Sequence, residues 1–325
     1  MNFSEDFFKP EVRCGFEISE MMKRAWAAEM EVLEEITRIC KKYGLTYYAS
    51  DGTLLGAVRH GGYIPWDDDL DIEMKWKDYK TLLTVLPEEM PEGWKLGSIQ
   101  QPEDHNQPFS CLMNSRGIRT DREFLERYHG CPYIVGVDIY PLAYTPGDWE
   151  VARAQKTMYS AVYDLAQNFI KIEECGELES HLVMVEELCR IKLDRSKPLR
   201  KQLWRLADTM NEMFCEEECD NITRLWSPMD KPAPDGKPTW RWRKEWYEDT
   251  IEMPFETTTI PVPVGYDEIL RSFYGNYMTP KQTRSSHDYP FYKKQQEVLE
   301  EALRNSPGAQ TVEQVLTQFK EGIGA

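Results

Sequence analysis

Trp66-Asp67-Asp68-Asp69-Leu70-Asp71-Ile72-Glu73-Met74 is the stretch that decides how this 325-residue chain is read. From residue 69 to 74 the apolar Leu70, Ile72 and Met74 alternate with Asp69, Asp71 and Glu73. That period predicts a β-strand burying the first set and presenting the acids on its opposite face. The run packs four carboxylates into the five positions 67–71. Two carboxylates about 4 Å apart repel by about 4 kcal/mol at an effective dielectric near 20, so a partly buried cluster must take up protons or bind a cation. Mg²⁺ or Mn²⁺ suits it, because Mg²⁺ is typically held by one or two carboxylates together with substrate phosphates and waters. A solvated acidic loop is the plainer reading of an acid run. The alternation with apolar residues and the preceding Pro65-Trp66 argue against it. A calcium loop of the EF-hand kind is disfavoured because Ile72 stands where its glycine belongs.

Outward from this strand, Ser50-Asp51-Gly52-Thr53-Leu54-Leu55-Gly56 places small residues and a hydroxyl where a strand over 45–50 gives way to a helix over 53–59. The free amides of such a helix start suit a phosphate group. A Gly-Thr helix start is also commonly a simple cap. Arg59 and His60 follow at once, and arginine matches phosphate geometry; a surface arginine and a loop histidine are the bland alternative. Gly61-Gly62 reads as a turn. Upstream, Met22, Trp26, Met30, Leu33, Ile36 and Cys40 recur at helical intervals and Gly44 supplies a stop, predicting a helix over 21–43. Downstream, a helix is expected over 78–86 and strands near 94–99 and 109–114. A further strand over 134–140 would place Val135, Val137 and Ile139 on one face and Gly136, Asp138 and Tyr140 on the other. From 148 to about 219 the pattern turns helical, and a loop over 227–238 with four prolines punctuates it. Strand-like 253–264, a short helix over 266–273 and helices after Tyr289 finish the chain.

The bulk numbers set limits. A hydrophobic fraction of 41% describes a globular chain able to bury a sizeable core. The net charge of -17 argues against nucleic acid or an anionic membrane surface as partner, since neutralising phosphates needs clustered Lys and Arg. No stretch approaches the roughly 20 apolar residues of a membrane span, and the first ten residues carry no apolar signal region, so a cytoplasmic chain is expected. Eight scattered cysteines then read as reduced thiols. The nearest approach to a zinc spacing is Cys215 with Cys219, plus His129 beside Cys131, without any Cys-x-x-Cys.

The run Gly52-Thr53-Leu54-Leu55-Gly56-Ala57-Val58-Arg59-His60-Gly61-Gly62-Tyr63-Ile64-Pro65-Trp66-Asp67-Asp68-Asp69-Leu70-Asp71-Ile72 closely resembles the signature of the LicD family, which includes bacterial phosphocholine transferases and fukutin-related proteins. Val137-Asp138-Ile139-Tyr140-Pro141-Leu142 resembles the family's second acidic strand. Val262-Pro263, Tyr274-Gly275-Asn276-Tyr277-Met278, Pro280 and His287-Asp288 resemble its C-terminal block. The resemblance implies an α+β fold: a nucleotidyltransferase-like short mixed β-sheet flanked by helices. Together with the helical periodicity after 148, where no family motif is found, this suggests a catalytic core over 1–147, a mostly α-helical insertion or second lobe over 148–238, and a part over 239–325 that completes the core. The resemblance also implies that Gly52 and Thr53, with Arg59 and His60, hold the donor phosphates. Asp69, Asp71 and Asp138 would be catalytic and bind Mg²⁺ or Mn²⁺, with Asp67 supporting them.

The implied reaction moves a phosphorylated alcohol, phosphocholine foremost, from a CDP-linked donor to a hydroxyl of a cell-surface glycan or its precursor, as in lipopolysaccharide or teichoic acid biosynthesis. Two rivals stay open. One is nucleotidyl transfer from an NTP with release of pyrophosphate. The other is a non-catalytic glycan-binding module, for which Trp240-Arg241-Trp242-Arg243-Lys244-Glu245-Trp246-Tyr247 offers an aromatic platform unless those rings pack in the core.

Overall fold

The computed structural model describes residues 1–99, 105, 107–227, 241–282, 289–305 and 311–323. Most of the proline-punctuated loop, Trp240 and His287-Asp288 lie outside the described residues.

A small hairpin, β1 (Glu11–Arg13) with β2 (Phe16–Ile18), leads into α1 (Glu20–Tyr43). Ser19 caps this helix by accepting from the Met22 amide, and Gly44 ends it at φ 66°, a left-handed position that suits glycine. Its expected apolar stripe is buried, with Trp26 and Ile36 fully so. The chain then makes β3 (Tyr48–Ala49), α2 (Asp51–His60), β4 (Leu70–Lys75) and α3 (Trp76–Glu89). β5 (Lys95–Gly97), β6 (Ser110–Met113), the short α4 (Arg122–Arg127) and the long β7 (Gly136–Thr145) follow. Observed and expected elements coincide to within a few residues. The main differences are that β3 is shorter than 45–50 and that β7 runs past Tyr140 to Thr145.

Among the described residues these strands form one mixed sheet in the order β3-β4-β7-β6-β5, extended by β8 (Asn221–Thr223) on the end of β7 and by β9 (Trp242–Arg243). The central pair, β4 and β7, is parallel, and its register sets Asp71 opposite Asp138. The neighbouring β6 is antiparallel to β7 and sets Cys111 opposite Asp138. The chain thus has an α+β fold, a mixed sheet flanked by helices.

Four helices, α5 (Trp149–Gln167), α6 (Phe169–Glu174), α7 (Leu178–Cys189) and α8 (Leu199–Thr209), occupy the stretch expected to be helical. Tyr159, Val162, Leu182, Val185, Leu203 and Trp204 form an apolar cluster there, separate from the large cluster around the sheet. The hairpin β10 (Thr250–Phe255) and β11 (Thr258–Pro263) precedes α9 (Tyr266–Tyr274), and α10 (Lys293–Arg304) and α11 (Val312–Ile323) close the chain. Glu256, at the turn of the hairpin, clasps the end of α2. Its amide donates to the Gly61 carbonyl at 2.8 Å, and its carboxylate accepts from Arg13 and from the Tyr63 amide. Trp242 and Tyr247 are buried, which is core packing rather than a sugar platform. Among the described residues no helix is long and apolar enough to cross a membrane.

Candidate active site

Leu70, Ile72 and Met74 enter the core as their alternation predicts. The opposite face differs from expectation, because Asp71 and Glu73 are buried as well. That face is covered by groups from distant segments. Arg224 lies one residue beyond β8. Its Nε donates to Glu73 Oε2 at 2.9 Å and its Nη2 to the same oxygen at 2.6 Å. Tyr247 donates its hydroxyl to Glu73 Oε1 at 2.8 Å. Tyr140, the residue of β7 two beyond Asp138, donates its hydroxyl to Asp71 Oδ1 at 2.9 Å.

The turn before α2 is laced to the same strand. The Ser50 amide donates to the Asp71 carbonyl at 3.0 Å, and the Asp71 amide donates to Thr53 Oγ1 at 2.9 Å. The Thr53 hydroxyl, expected at a donor phosphate, thus anchors the acidic strand. Gly52 has a different reason to be glycine: a Cβ there would lie 2.2 Å from Asp67 Oδ2, so only a bare backbone lets that carboxylate approach α2. Asp51 sits at φ 42°, a strained value for a residue with a side chain, and its Oδ2 accepts from Arg224 at 2.6 Å.

The acids sense one another strongly. Burial, then the charges of Asp69 and Asp68, push the Asp67 carboxyl up to about 8. Burial, then the charges of Asp69, Asp51 and Asp138, hold Asp71 well above the usual carboxylate range. The three acids whose charges meet at Asp71 come from α2, the residues leading into β4, and β7. The register sets Asp138 beside Asp71 on the neighbouring strand, and its charge adds to those that raise Asp71. Among the described residues no three His, Cys, Asp or Glu side chains stand ready-made as a metal cage. What converges is charge that a cation would relieve.

A cleft of about 330 Å³ opens over this cluster. Asp67, Asp69, Asp71 and Gly52 line one part of it, and Arg59, Lys281, Trp66, Tyr274 and Tyr277 line the rest. Arg59 is held toward it by donating from Nη1 to the Tyr277 carbonyl at 2.8 Å. His60 is not among the lining residues. Its Nε2 accepts from Arg59 Nε at 2.9 Å, and burial, then the neighbouring Arg59 and Arg13, lower its pKa to about 4. It is neutral at pH 7 and its contact supports Arg59.

Three groups at this site escaped the sequence reading. Glu29 of α1 accepts from the Tyr63 hydroxyl at 2.9 Å, and burial together with the charges of Asp69, Asp68 and Asp67 raises its carboxyl well above the usual range. Its signal was a carboxylate on the apolar stripe of α1, between Trp26 and Leu33. Cys111 gives its thiol hydrogen to Asp138, and burial pushes that thiol well above its ordinary value. Gly136 leaves room for this sulfur, since a Cβ there would lie 2.8 Å from it. Arg224 carried no local signal.

Residues 44–106, which span α2 and the acidic strand, match the family model described as LicD/FKTN/FKRP, nucleotidyltransferase domain. The class defined by this fold and site is therefore a chain bearing that domain. It is 23% identical over 263 residues to the lipopolysaccharide cholinephosphotransferase LicD of Haemophilus influenzae, an alignment covering 79% of this chain and 92% of that protein. A shorter match, 41% identical over 58 residues, joins it to an uncharacterized protein of Rickettsia prowazekii, covering 18% of this chain and 22% of the relative. The chain is thus similar to LicD-family proteins, at the domain over 44–106 and, more distantly, along most of its length. Asp138 and Arg224 lie beyond the 44–106 span.

Proposed function

We propose that this protein is a LicD-type phosphotransferase that moves a phosphorylated alcohol, phosphocholine foremost, from a CDP-linked donor to a hydroxyl of a cell-surface glycan or its precursor. The observation that carries the reading is the meeting of Asp67, Asp69, Asp71 and Asp138 beneath a cleft whose other lining residues include Arg59 and Lys281. The similarity to a lipopolysaccharide cholinephosphotransferase along most of both chains supports the choice of donor and acceptor class.

The acid cluster fits a hard divalent cation, because the carboxyls of Asp67 and Asp71 otherwise hold protons well above their ordinary range. Asp69, Asp71 and Asp138, supported by Asp67, would hold Mg²⁺ or Mn²⁺, which when bound offsets phosphate charge and polarises the phosphorus under attack. The chain's own residues supply the rest. Arg59 draws the anionic donor into the cleft, and Gly52 lets its phosphates approach the backbone at the start of α2. Asp138 takes the proton of the acceptor hydroxyl as its oxygen attacks the phosphorus bearing the alcohol. The bond from that phosphorus to the bridging oxygen breaks, and CMP leaves with that oxygen. Positioning and charge compensation supply most of the rate in such a transfer. The reaction would take place in the cytoplasm, with α5–α8 shaping the acceptor side.

The match to a nucleotidyltransferase domain keeps one second reading, attack on the α-phosphorus of an NTP with loss of pyrophosphate. Incubation with a panel of CDP-alcohols and NTPs plus Mg²⁺ separates the two. CMP release from CDP-choline that stops in excess EDTA is the expected result. Pyrophosphate release from an NTP would favour the second reading, and full turnover in EDTA would remove the metal from the account.

A further inference from the structure

We propose that Arg224 is the positioning residue that sets the acidic strand for reaction, and that the helical segment holds it there through Lys156. This rests on the phosphotransferase reading for its effect on turnover, but its structural half stands apart from that reading.

Arg224 is 3% exposed and grips three residues of two other elements. Its Nη1 holds Asp51 Oδ2, its Nη2 reaches Ser50 Oγ, and its Nε and Nη2 hold Glu73 Oε2. Asp51 and Ser50 form the strained turn that opens α2, whereas Glu73 is on β4 two residues after Asp71. The guanidinium therefore fastens the start of α2 to β4 in addition to the links that Ser50 and Thr53 make to Asp71. Removing it would leave the buried Glu73 carboxylate and the partly exposed Asp51 carboxylate without the cation that bonds both, and Asp51, at its positive φ, would lose that partner.

The guanidinium is placed by its surroundings as well. The rings of Tyr140, Trp226, Trp242 and Phe273 stand within 4.9 to 5.9 Å of its carbon. Tyr140 is the same ring whose hydroxyl bonds Asp71, so stacking and hydrogen bonding converge on one carboxylate. The backbone beneath Arg224 is fixed by a buried amine. Lys156 of α5 donates to the carbonyls of Arg224, at 3.2 Å, and of Leu225 and Ser227. A buried lysine reaching three carbonyl oxygens within the four residues 224–227 is an anchor, and its helix packs in the separate apolar cluster of α5, α7 and α8. Thus the helical segment supports the catalytic strand through Lys156, then the backbone at 224–227, then the Arg224 side chain.

Lysine at position 224 would keep the charge but not the fork that reaches Glu73, Asp51 and Ser50 together. Arg224→Lys should therefore fold, with amide hydrogen exchange accelerated selectively over 50–55 and 70–75. Its kcat for CMP release from CDP-choline should fall about 10²-fold, the scale of a misplacement near 1 Å, with the donor KM within about threefold. Lys156→Met, which should retain the packing of α5, should move the same two segments and kcat in the same direction by a smaller factor. Arg195→Lys, in the remote pair with Glu186 and Glu179, should leave both segments and kcat unchanged. Unchanged exchange over 50–55 and 70–75 in Arg224→Lys would overturn the proposal. So would a rate loss no larger than the loss of folded protein. If wild-type protein releases no CMP from CDP-choline, the phosphotransferase reading fails by itself, while the exchange pattern still decides whether Arg224 positions the strand.

Discussion

Two glycines of α2, Gly52 and Gly56, separate what the fold needs from what the site needs. Alanine at either position would gain helix propensity, up to about 1 kcal/mol. At Gly56 the added methyl would meet the Gly62 carbonyl oxygen at 2.4 Å, a backbone atom held in place by the turn that ends the helix. It cannot withdraw, so Gly56→Ala should destabilise the protein by about 1 to 3 kcal/mol, the cost of overpacking. At Gly52 the methyl would meet Asp67 Oδ2 at 2.2 Å. A side-chain carboxylate can withdraw by the ~1 Å that ordinary contact requires, so stability should change by less than about 1 kcal/mol. The withdrawal takes Asp67 away from Asp69, however, and turnover should fall about 10²-fold. Urea denaturation of both variants, with CMP release measured on the folded fraction, tests the pair. Full turnover in Gly52→Ala would refute the placing of Asp67 in the reacting cluster. A stability loss as large as that of Gly56→Ala would refute the claim that its clash is soft.

Asp138→Asn keeps shape while removing charge and basicity, so kcat should fall about 10²- to 10⁴-fold with little change in denaturation midpoint; lost stability at intact kcat would make Asp138 a structural residue. Asp67 gives a pH signature. Its folded-state carboxyl is raised to about 8, so its contribution to stability is complete below the unfolded value near 4 and is lost as pH rises through about 8. Metal-free wild type should therefore lose stability relative to Asp67→Asn between pH 4 and 8, and Mg²⁺ should flatten the difference; a flat metal-free difference would contradict the shift. Arg59→Ala should raise the donor Kd by about 1.5 to 3 kcal/mol, the weight of a charge-assisted contact, and an unchanged Kd by calorimetry would leave Arg59 a structural contact to Tyr277.

The sequence was most legible where structure is local. The stripe on α1, the alternation of Leu70, Ile72 and Met74 and the stop at Gly44 each depend on neighbours a few positions away, and each appears as read. Asp138 could be placed on the polar face of its strand from Val135, Val137 and Ile139. Its meeting with Asp71 was legible only through the resemblance, because strand pairing is not a local property. The burial of Glu73 was invisible for the same reason: its cover comes from Arg224 and Tyr247, more than 150 residues onward. Thr53 and His60 show the opposite limit. Their residue types suit phosphate, but Thr53 accepts the Asp71 amide and His60 accepts from Arg59, contacts that no spacing rule encodes.

The most direct test of the central claim, that phosphoryl transfer is performed at the acidic strand, is the rate of CMP release from CDP-choline in saturating Mg²⁺ by Asp71→Asn set beside wild type. Asp71 lies at the point where the charges of Asp69, Asp51 and Asp138 meet, and the asparagine preserves an oxygen to accept from Tyr140. The account predicts a folded variant whose kcat is lower by at least about 10²-fold. A folded Asp71→Asn that releases CMP at the wild-type rate would show that the chemistry lies elsewhere in the molecule.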